Sequence, residues 1–82
     1  MEDVDKLHIS EVVHFCFSNE VYVKKEQVTT NFLRIYVETP SKTIKGNSIY
    51  RIGDKKDMKN MSEKIDELYR YFYKKIKEEQ KK

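Results

Sequence analysis

The sequence predicts an α+β domain in which an antiparallel sheet of four or five strands precedes one long C-terminal amphipathic helix. β-branched and aromatic residues dominate up to Gly53, and apolar residues recur at three- and four-residue spacing after it. Neither part is long enough to bury its own apolar face. We therefore expect one small domain over residues 1–82, strand-rich over 7–53, helical over 55–79, and with a frayed C-terminal tail.

Two runs in the first third of the chain indicate a hairpin. The run 12–17 is rich in β-branched and aromatic residues, and the run 20–24 follows it after Ser18 and Asn19. Asparagine tolerates the positive φ of a tight hairpin turn, which favours a turn at these two residues. Alternation then places Val13, Phe15 and Phe17 on one face and Val12, His14 and Cys16 on the other. A short helix from an N-cap at Ser10 through Phe17 is the competing interpretation.

The middle of the chain predicts further strands. The run 28–39 alternates, with Leu33, Ile35 and Val37 facing one way and Arg34, Tyr36 and Glu38 the other, and Pro40 ends it. The runs 41–45 and 48–52 then flank Gly46 and Asn47, a dipeptide typical of a type II′ hairpin turn. In that register Ile44 lies opposite Ile49, Thr43 opposite Tyr50 and Lys42 opposite Arg51.

The last third of the chain predicts a helix that starts with a capping box of Asp54 and Asp57. Its apolar stripe consists of Met58, Met61, Ile65, Leu68, Tyr69, Phe72 and Ile76. The expected core combines this stripe with the sheet, through Val13, Phe15, Leu33, Ile35, Val37, Ile65, Leu68 and Phe72. Since the helix is longer than a typical strand, Phe72, Tyr73 and Ile76 should overhang the sheet, and a homodimer or a partner would cover them.

No pattern in the chain predicts an enzyme, a cofactor or a metal site. The single Cys16 excludes an internal disulfide, and the two glycines do not form a phosphate loop. His14 and Cys16 would share a strand face, with His8 a conceivable third ligand, but the spacing matches no zinc pattern and Cys16 is better explained as a small buried residue. The first residues are acidic and no apolar run is long enough to span a membrane, so we expect a cytoplasmic protein.

The basic residues are the best candidates for function. The net charge of +3 is small, but residues 1–20 are acidic and the remainder is basic. Basic side chains alternate with tyrosines on the predicted sheet, at Arg34, Tyr36, Lys42, Lys45, Tyr50 and Arg51. A second group shares one arc of the helix, at Arg70, Lys74, Lys77 and Lys81. Cations beside exposed rings suit a single-stranded nucleic acid, whereas a solvated face whose bases complement the helix dipole explains the helical group equally simply.

The predicted order of elements, several strands followed by one amphipathic helix, is similar to that of two kinds of small DNA-binding protein. These are archaeal chromatin barrels with a terminal helix and dimeric single-strand binders. No motif accompanies the similarity, so no residues are assigned from it. The sequence predicts a small non-enzymatic binding module, nucleic-acid-binding or regulatory. The alternative is a protein-binding inhibitor or adaptor, of the kind that viruses and other mobile elements encode.

Overall fold

The computed structural model describes residues 6–80, which form two helices and three strands. Helix α1 spans Ile9–Ser18, strands β1, β2 and β3 span Tyr22–Thr29, Phe32–Glu38 and Thr43–Arg51, and helix α2 spans Lys55–Gln80. The strands form one antiparallel sheet in the order β1-β2-β3. The predicted α+β class and long C-terminal helix are confirmed, but the sheet has three strands rather than four or five.

The predicted first hairpin is wrong, because residues 9–18 form α1. The His8 side chain accepts a hydrogen bond from the Ser10 amide at the start of this helix, so the N-cap is His8 and not Ser10. Helical spacing brings Val12 and Cys16 to one face, where both are fully buried. Burial of that face overrides the strand preference of the β-branched and aromatic residues around it. After the helix, the positive φ falls on Glu20 and not on Asn19.

The predicted hairpin turn at Gly46 and Asn47 is also wrong. Both residues lie inside β3, where the pairing with β2 shifts between Arg34 and Tyr36. A Cβ at position 46 would lie 3.0 Å from the carbonyl oxygen of Ile35, so glycine permits the close backbone approach of a bulge. Ile44 therefore pairs with Val37, Ile49 with Arg34, and Tyr50 with Leu33, in place of the predicted register.

The alternation predicted for the middle strand is confirmed, although its first two residues belong to β1. Ile35 and Val37 are buried on the side of the sheet that carries both helices, and Leu33 packs beside them. The turn between β1 and β2 falls at Thr30 and Asn31, and β2 ends before Pro40 as expected. Polar side chains of β2 therefore face away from the helices.

The core lies between the sheet and the helices, and differs from the predicted set mainly at α1. Its buried members are Val12, Cys16, Val21, Val23, Ile35, Val37, Met61, Tyr69, Phe72 and Tyr73. The partly buried residues packed against them include five of the eight predicted: Val13, Phe15, Leu33, Ile65 and Leu68. In a helix, Val12 and Cys16 take the inner positions that a strand would have given to Val13 and Phe15.

Helix α2 begins at the predicted cap. The Asp54 carboxylate accepts a hydrogen bond from the Asp57 amide at 3.0 Å, as in a capping box. The Asp57 carboxylate does not return to residue 54 but accepts from the Arg51 amide at 2.9 Å, which fastens the end of β3 to the helix. The helix continues through Gln80; Lys81 and Lys82, the end of the predicted frayed tail, lie outside the described residues.

Tyr69 joins α2 to helix α1 and to strand β1. Its hydroxyl donates to the carbonyl of Val23 and accepts from the amide of the same residue, both at 3.2 Å. The Cys16 thiol, in turn, donates to the backbone carbonyl of Tyr69 at 3.4 Å. Since all three residues are buried, one tyrosine connects α1, β1 and α2 inside the core.

We expect Tyr69→Phe to lower the free energy of unfolding by about 1–3 kcal/mol, because it leaves the buried Val23 amide and carbonyl without partners. The matched control is Tyr71→Phe, since Tyr71 is 55% exposed and should change stability by less than about 0.5 kcal/mol. Urea unfolding followed by circular dichroism measures both. Equal effects of the two substitutions would contradict the role given to the Tyr69 hydroxyl.

Candidate functional site

The sheet face turned away from the helices carries four of the six predicted sheet residues. The register aligns Lys24, Tyr36 and Lys45 in one row across the three strands, with Arg34 and Ile49 in the next row. Arg51 follows at the end of β3. We call this surface the open face, and define it by Lys24, Glu26, Arg34, Tyr36, Glu38, Lys45, Ile49 and Arg51. No helix or strand of residues 6–80 covers it.

Carboxylates on the open face pair with most of its cations. The Arg34 Nε atom donates to Glu26 at 2.8 Å, and Lys45 Nζ lies 3.8 Å from the same carboxylate. Lys24 pairs with Glu38 at 3.1 Å, and this hydrogen bond raises the pKa of Lys24. A phosphate at these positions would have to displace an existing partner. The open face is therefore a mixed surface and not a purely basic one.

The other two predicted sheet residues lie elsewhere. Tyr50 pairs with Leu33 on the helix side of the sheet and packs against the core. Lys42 precedes β3 in the turn, where its amide and carbonyl bond with Thr39. The predicted pair of stacking rings is thus divided, because Tyr36 and Tyr50 lie on opposite faces of the sheet.

Two members of the predicted basic group of α2 contact α1 or the residues just before it. Arg70 donates to the carbonyl of Leu7 at 3.0 Å. Lys77 Nζ lies 4.8 Å from the ring centre of Phe15 and 5.6 Å from that of Tyr73, within the range of cation–π attraction. Lys74 is exposed, and Lys81 lies outside the described residues. These contacts give Arg70 and Lys77 a structural explanation.

Helix α1 also covers the predicted dimer or partner surface. Phe72 and Tyr73 are buried, Ile76 is half-buried, and the rings of Phe15 and Tyr73 lie 4.7 Å apart. The predicted overhang rests on a helix longer than a typical strand, with residues 12–17 placed in the sheet. With those residues in a helix that packs on α2, the apolar surface that motivated a homodimer is already covered within the chain.

A basic group outside the predicted site residues lies at the start of α2. Lys55, Lys56 and Lys59 are all exposed and fall within an arc of about 100° on the helix. None of them forms an ion pair with a carboxylate of residues 6–80. The dipole of a helix disfavours cations at this end, so their position does not serve helix stability. The sequence alone shows this conflict, because the first five residues of the predicted helix include all three lysines.

The turn between β1 and β2 lies beside this basic helix start, which we define as Lys55, Lys56 and Lys59. The Ile52 amide, three residues before α2, donates to the Asn31 carbonyl at 2.8 Å. Thr29, Thr30 and Asn31 are exposed and offer hydroxyl and amide groups. One end of the molecule therefore presents three lysines next to a polar turn.

The cysteine and histidine residues form no reactive pair. His14 and Cys16 are two positions apart in α1, so they point in nearly opposite directions, and the shared face expected from a strand does not exist. Burial raises the pKa of the Cys16 thiol to about 11, which keeps it protonated at neutral pH. Among residues 6–80 no three His, Cys, Asp or Glu side chains are grouped to hold a metal ion.

Comparison of the chain with protein-family models, with curated proteins and with solved structures gave no match. The first helix also removes the similarity in element order to strand-first DNA-binding proteins. Within the described part of the chain, neither helix combines the length and the apolar character that crossing a bilayer requires.

We expect the Cys16 thiol to resist alkylation by iodoacetamide at pH 8 until urea unfolds the protein. Because its folded pKa of about 11 lies above the ordinary 9.0, its contribution to stability is complete below about pH 9 and is lost as pH rises toward 11. Unfolding midpoints in urea at pH 8 and pH 10 measure this loss, which should be smaller in Cys16→Ala. Rapid alkylation of the folded protein would contradict the buried position.

Proposed function

We propose that the protein binds nucleic acid through phosphate contacts made by the basic helix start. The observation that carries this proposal is the set of three exposed lysines without carboxylate partners at the helix end where the dipole disfavours them. Local rules of stability are commonly broken where a residue serves a function. Cations grouped on one surface are what attraction to a phosphate backbone requires.

The basic helix start is a better phosphate site than the open face. On the open face Glu26 and Glu38 already occupy Lys24, Arg34 and Lys45. At the start of α2 the nearby carboxylates, Asp54 and Asp57, accept hydrogen bonds from backbone amides instead. The lysine ammonium groups there gain a phosphate without losing an ion pair, which favours binding at this end of the molecule.

The chemistry of this end favours double-stranded nucleic acid. Residues 55–59 contain no aromatic side chain, so the basic helix start itself offers no ring on which an unpaired base could stack. A duplex presents about one charge per 1.7 Å of its axis, which suits closely spaced lysines. The hydroxyl and amide groups of Thr29, Thr30 and Asn31 can bond to phosphate or sugar oxygens, contacts that position a protein without reading sequence.

We expect the double substitution of Lys55 and Lys56 by Gln to weaken duplex binding for all sequences alike. Two fewer phosphate contacts should lower the slope of log affinity against log salt by about two. The matched control replaces Lys74 and Lys75 by Gln, which removes the same charge from another adjacent, exposed pair of the same helix. Fluorescence anisotropy over a salt series with duplex RNA and duplex DNA measures both variants.

Two outcomes would contradict this function. If the protein binds neither duplex nor single-stranded oligonucleotides near about 50 mM salt, nucleic-acid binding is excluded. If Tyr36→Ala costs about 1–3 kcal/mol of binding while the double substitution of Lys55 and Lys56 costs nothing, bases stack on the open face and the binding surface is the one predicted from the sequence. We expect Tyr36→Ala to leave duplex binding unchanged.

The alternative function is protein binding through the open face. Ion pairs among Glu26, Arg34 and Lys45 lie beside Ile49, whose side chain is 53% exposed, and Tyr36 adjoins them. Arginine and tyrosine next to exposed apolar groups are typical of protein interfaces. Salt distinguishes the two functions: binding through such a surface changes little between low and high salt, whereas phosphate binding falls steeply.

A further inference from the structure

One aromatic ring at the surface of the sheet has no role in the core. Phe32 begins β2 and belongs neither to the buried core nor to the residues packed against it. Because Leu33 faces the helices, its neighbour Phe32 faces the other way, on the same side of the sheet as Arg34. Within residues 6–80 no second ring stacks on Phe32 and no cation lies over it. The packing of the chain therefore does not explain a phenylalanine at this position.

The surroundings of Phe32 are apolar and basic. Arg51 lies directly opposite it on β3, and Ile49, which is 53% exposed, lies opposite Arg34 in the next row. The guanidinium group of Arg34 is bound to Glu26, but the exposed side chain of Arg51 has no carboxylate partner in the described part of the chain. A ligand at Phe32 would thus meet a ring, an aliphatic side chain and one available cation.

Hydrogen bonds hold this ring next to the basic helix start. The amide of Arg51 donates to the carboxylate of Asp57, in the first turn of α2, at 2.9 Å. On the neighbouring strand, Phe32 directly follows Asn31, whose carbonyl accepts from the amide of Ile52 at 2.8 Å. The ring, the polar turn and the lysines of α2 therefore adjoin one another at one end of the molecule.

The chemistry around the ring favours a nucleotide as the occupant. An unpaired base of any kind stacks on an aromatic face, and the phosphate attached to it needs a cation. Phe32 and Arg51 supply these two groups from paired positions, whose Cα atoms lie about 5 Å apart in an antiparallel ladder. The Glu26 carboxylate nearby is bound to Arg34, so its charge is compensated. An apolar protein segment would use the ring and Ile49 but would leave Arg51 without a partner.

We propose that Phe32 and Arg51 form a site for an unpaired nucleotide at the end of a nucleic-acid duplex. This site rests on the function proposed above, because the lysines at the start of α2 hold the paired part of the same nucleic acid. The strand that overhangs the last base pair continues from these lysines to the sheet, where its base stacks on Phe32 and its phosphate binds Arg51. The protein then distinguishes an overhang from a blunt end, which phosphate contacts alone do not.

The test measures binding of duplexes of equal paired length by fluorescence anisotropy, with blunt ends, with short overhangs, and with overhangs that keep the phosphates but lack the bases. We expect the full-length protein to bind the duplex with overhangs about tenfold more tightly than the blunt duplex, the order of affinity that stacking of one base supplies. The abasic overhang should recover little of this gain. Overhangs at the 3′ and 5′ ends are measured separately, and a preference for either one supports the site.

Phe32→Ala should remove the preference for overhangs and leave the affinity for the blunt duplex unchanged. Phe32→Tyr keeps the ring and should retain the preference, whereas Phe32→Leu keeps only the apolar character and should lose most of it. The matched control is Tyr71→Ala, which removes an exposed ring of α2 and should bind both duplexes as the wild type does. Circular dichroism verifies folding, and Phe32→Leu is the milder variant that replaces Phe32→Ala if the latter does not fold.

Two results would overturn the proposal. The first is equal affinity of the wild type for blunt duplexes and for duplexes with overhangs at either end. The second is a preference for overhangs that Phe32→Ala leaves intact, which would leave the ring to a protein partner.

The same measurements test the proposed function separately. Replacing Lys55 and Lys56 by Gln should weaken binding of blunt and overhanging duplexes by the same factor, so that their ratio stays as in the wild type. Absence of binding to all of the duplexes would overturn the proposed function and this site together, whereas equal binding of all of them would overturn this site alone.

Discussion

The fold depends on the side chain of Tyr69. The Tyr69 hydroxyl bonds to both the amide and the carbonyl of Val23. The backbone carbonyl of Tyr69 accepts a hydrogen bond from the Cys16 thiol. A domain of this size buries only about 60% of its unfolded surface, so a thin core gains much from a residue that contacts three elements at once. The aromatic ring contributes apolar area, while the hydroxyl removes the cost of burying an amide and a carbonyl. The same bonds hold the outer edge of β1 at Val23.

The sequence predicted those elements whose pattern is local, namely α2 and the alternation of β2. The three- and four-residue spacing of apolar residues is a property of α2 alone. The alternation around Ile35 can be recognised without knowing the neighbouring strands. Residues 12–17 have no such clear local signal, because their β-branched and aromatic residues suit a strand as well as a buried helix. The contact of Val12 and Cys16 with α2 decides between the two, and this contact joins residues more than fifty positions apart. The turn predicted at Gly46 is wrong for a related reason, because this glycine lets the backbone of β3 approach the carbonyl of Ile35.

The candidate sites show the same division between local and distant information. Alternation correctly placed Arg34 and Tyr36 on one face, but the sequence could not show that the register brings Glu26 opposite Arg34 and Glu38 opposite Tyr22, beside Lys24. Pairing across strands thus turned a predicted basic surface into a mixed one. By contrast, the lysines at the start of α2 could have been found, because a cation in the first turn of a helix conflicts with the dipole whatever the tertiary structure. The predicted basic group near the C-terminal end of α2 complements the dipole, whereas the lysines at its start oppose it.

The C-terminal half of helix α2 has a structural role, and its first turns carry the candidate binding residues. Its C-terminal half contacts α1 and the residue Leu7 before it, through buried Phe72 and Tyr73 and through Arg70 and Lys77. In its first turns Met61 is the one buried residue, so this part of the helix is held by one apolar face and the lysines extend from the other. Substitutions at Lys55 and Lys56 therefore change surface charge without touching the core, whereas a change at Arg70 alters both. This difference makes the start of α2 the place where charge is free to serve binding, because nothing in the packing of residues 6–80 requires it to be basic.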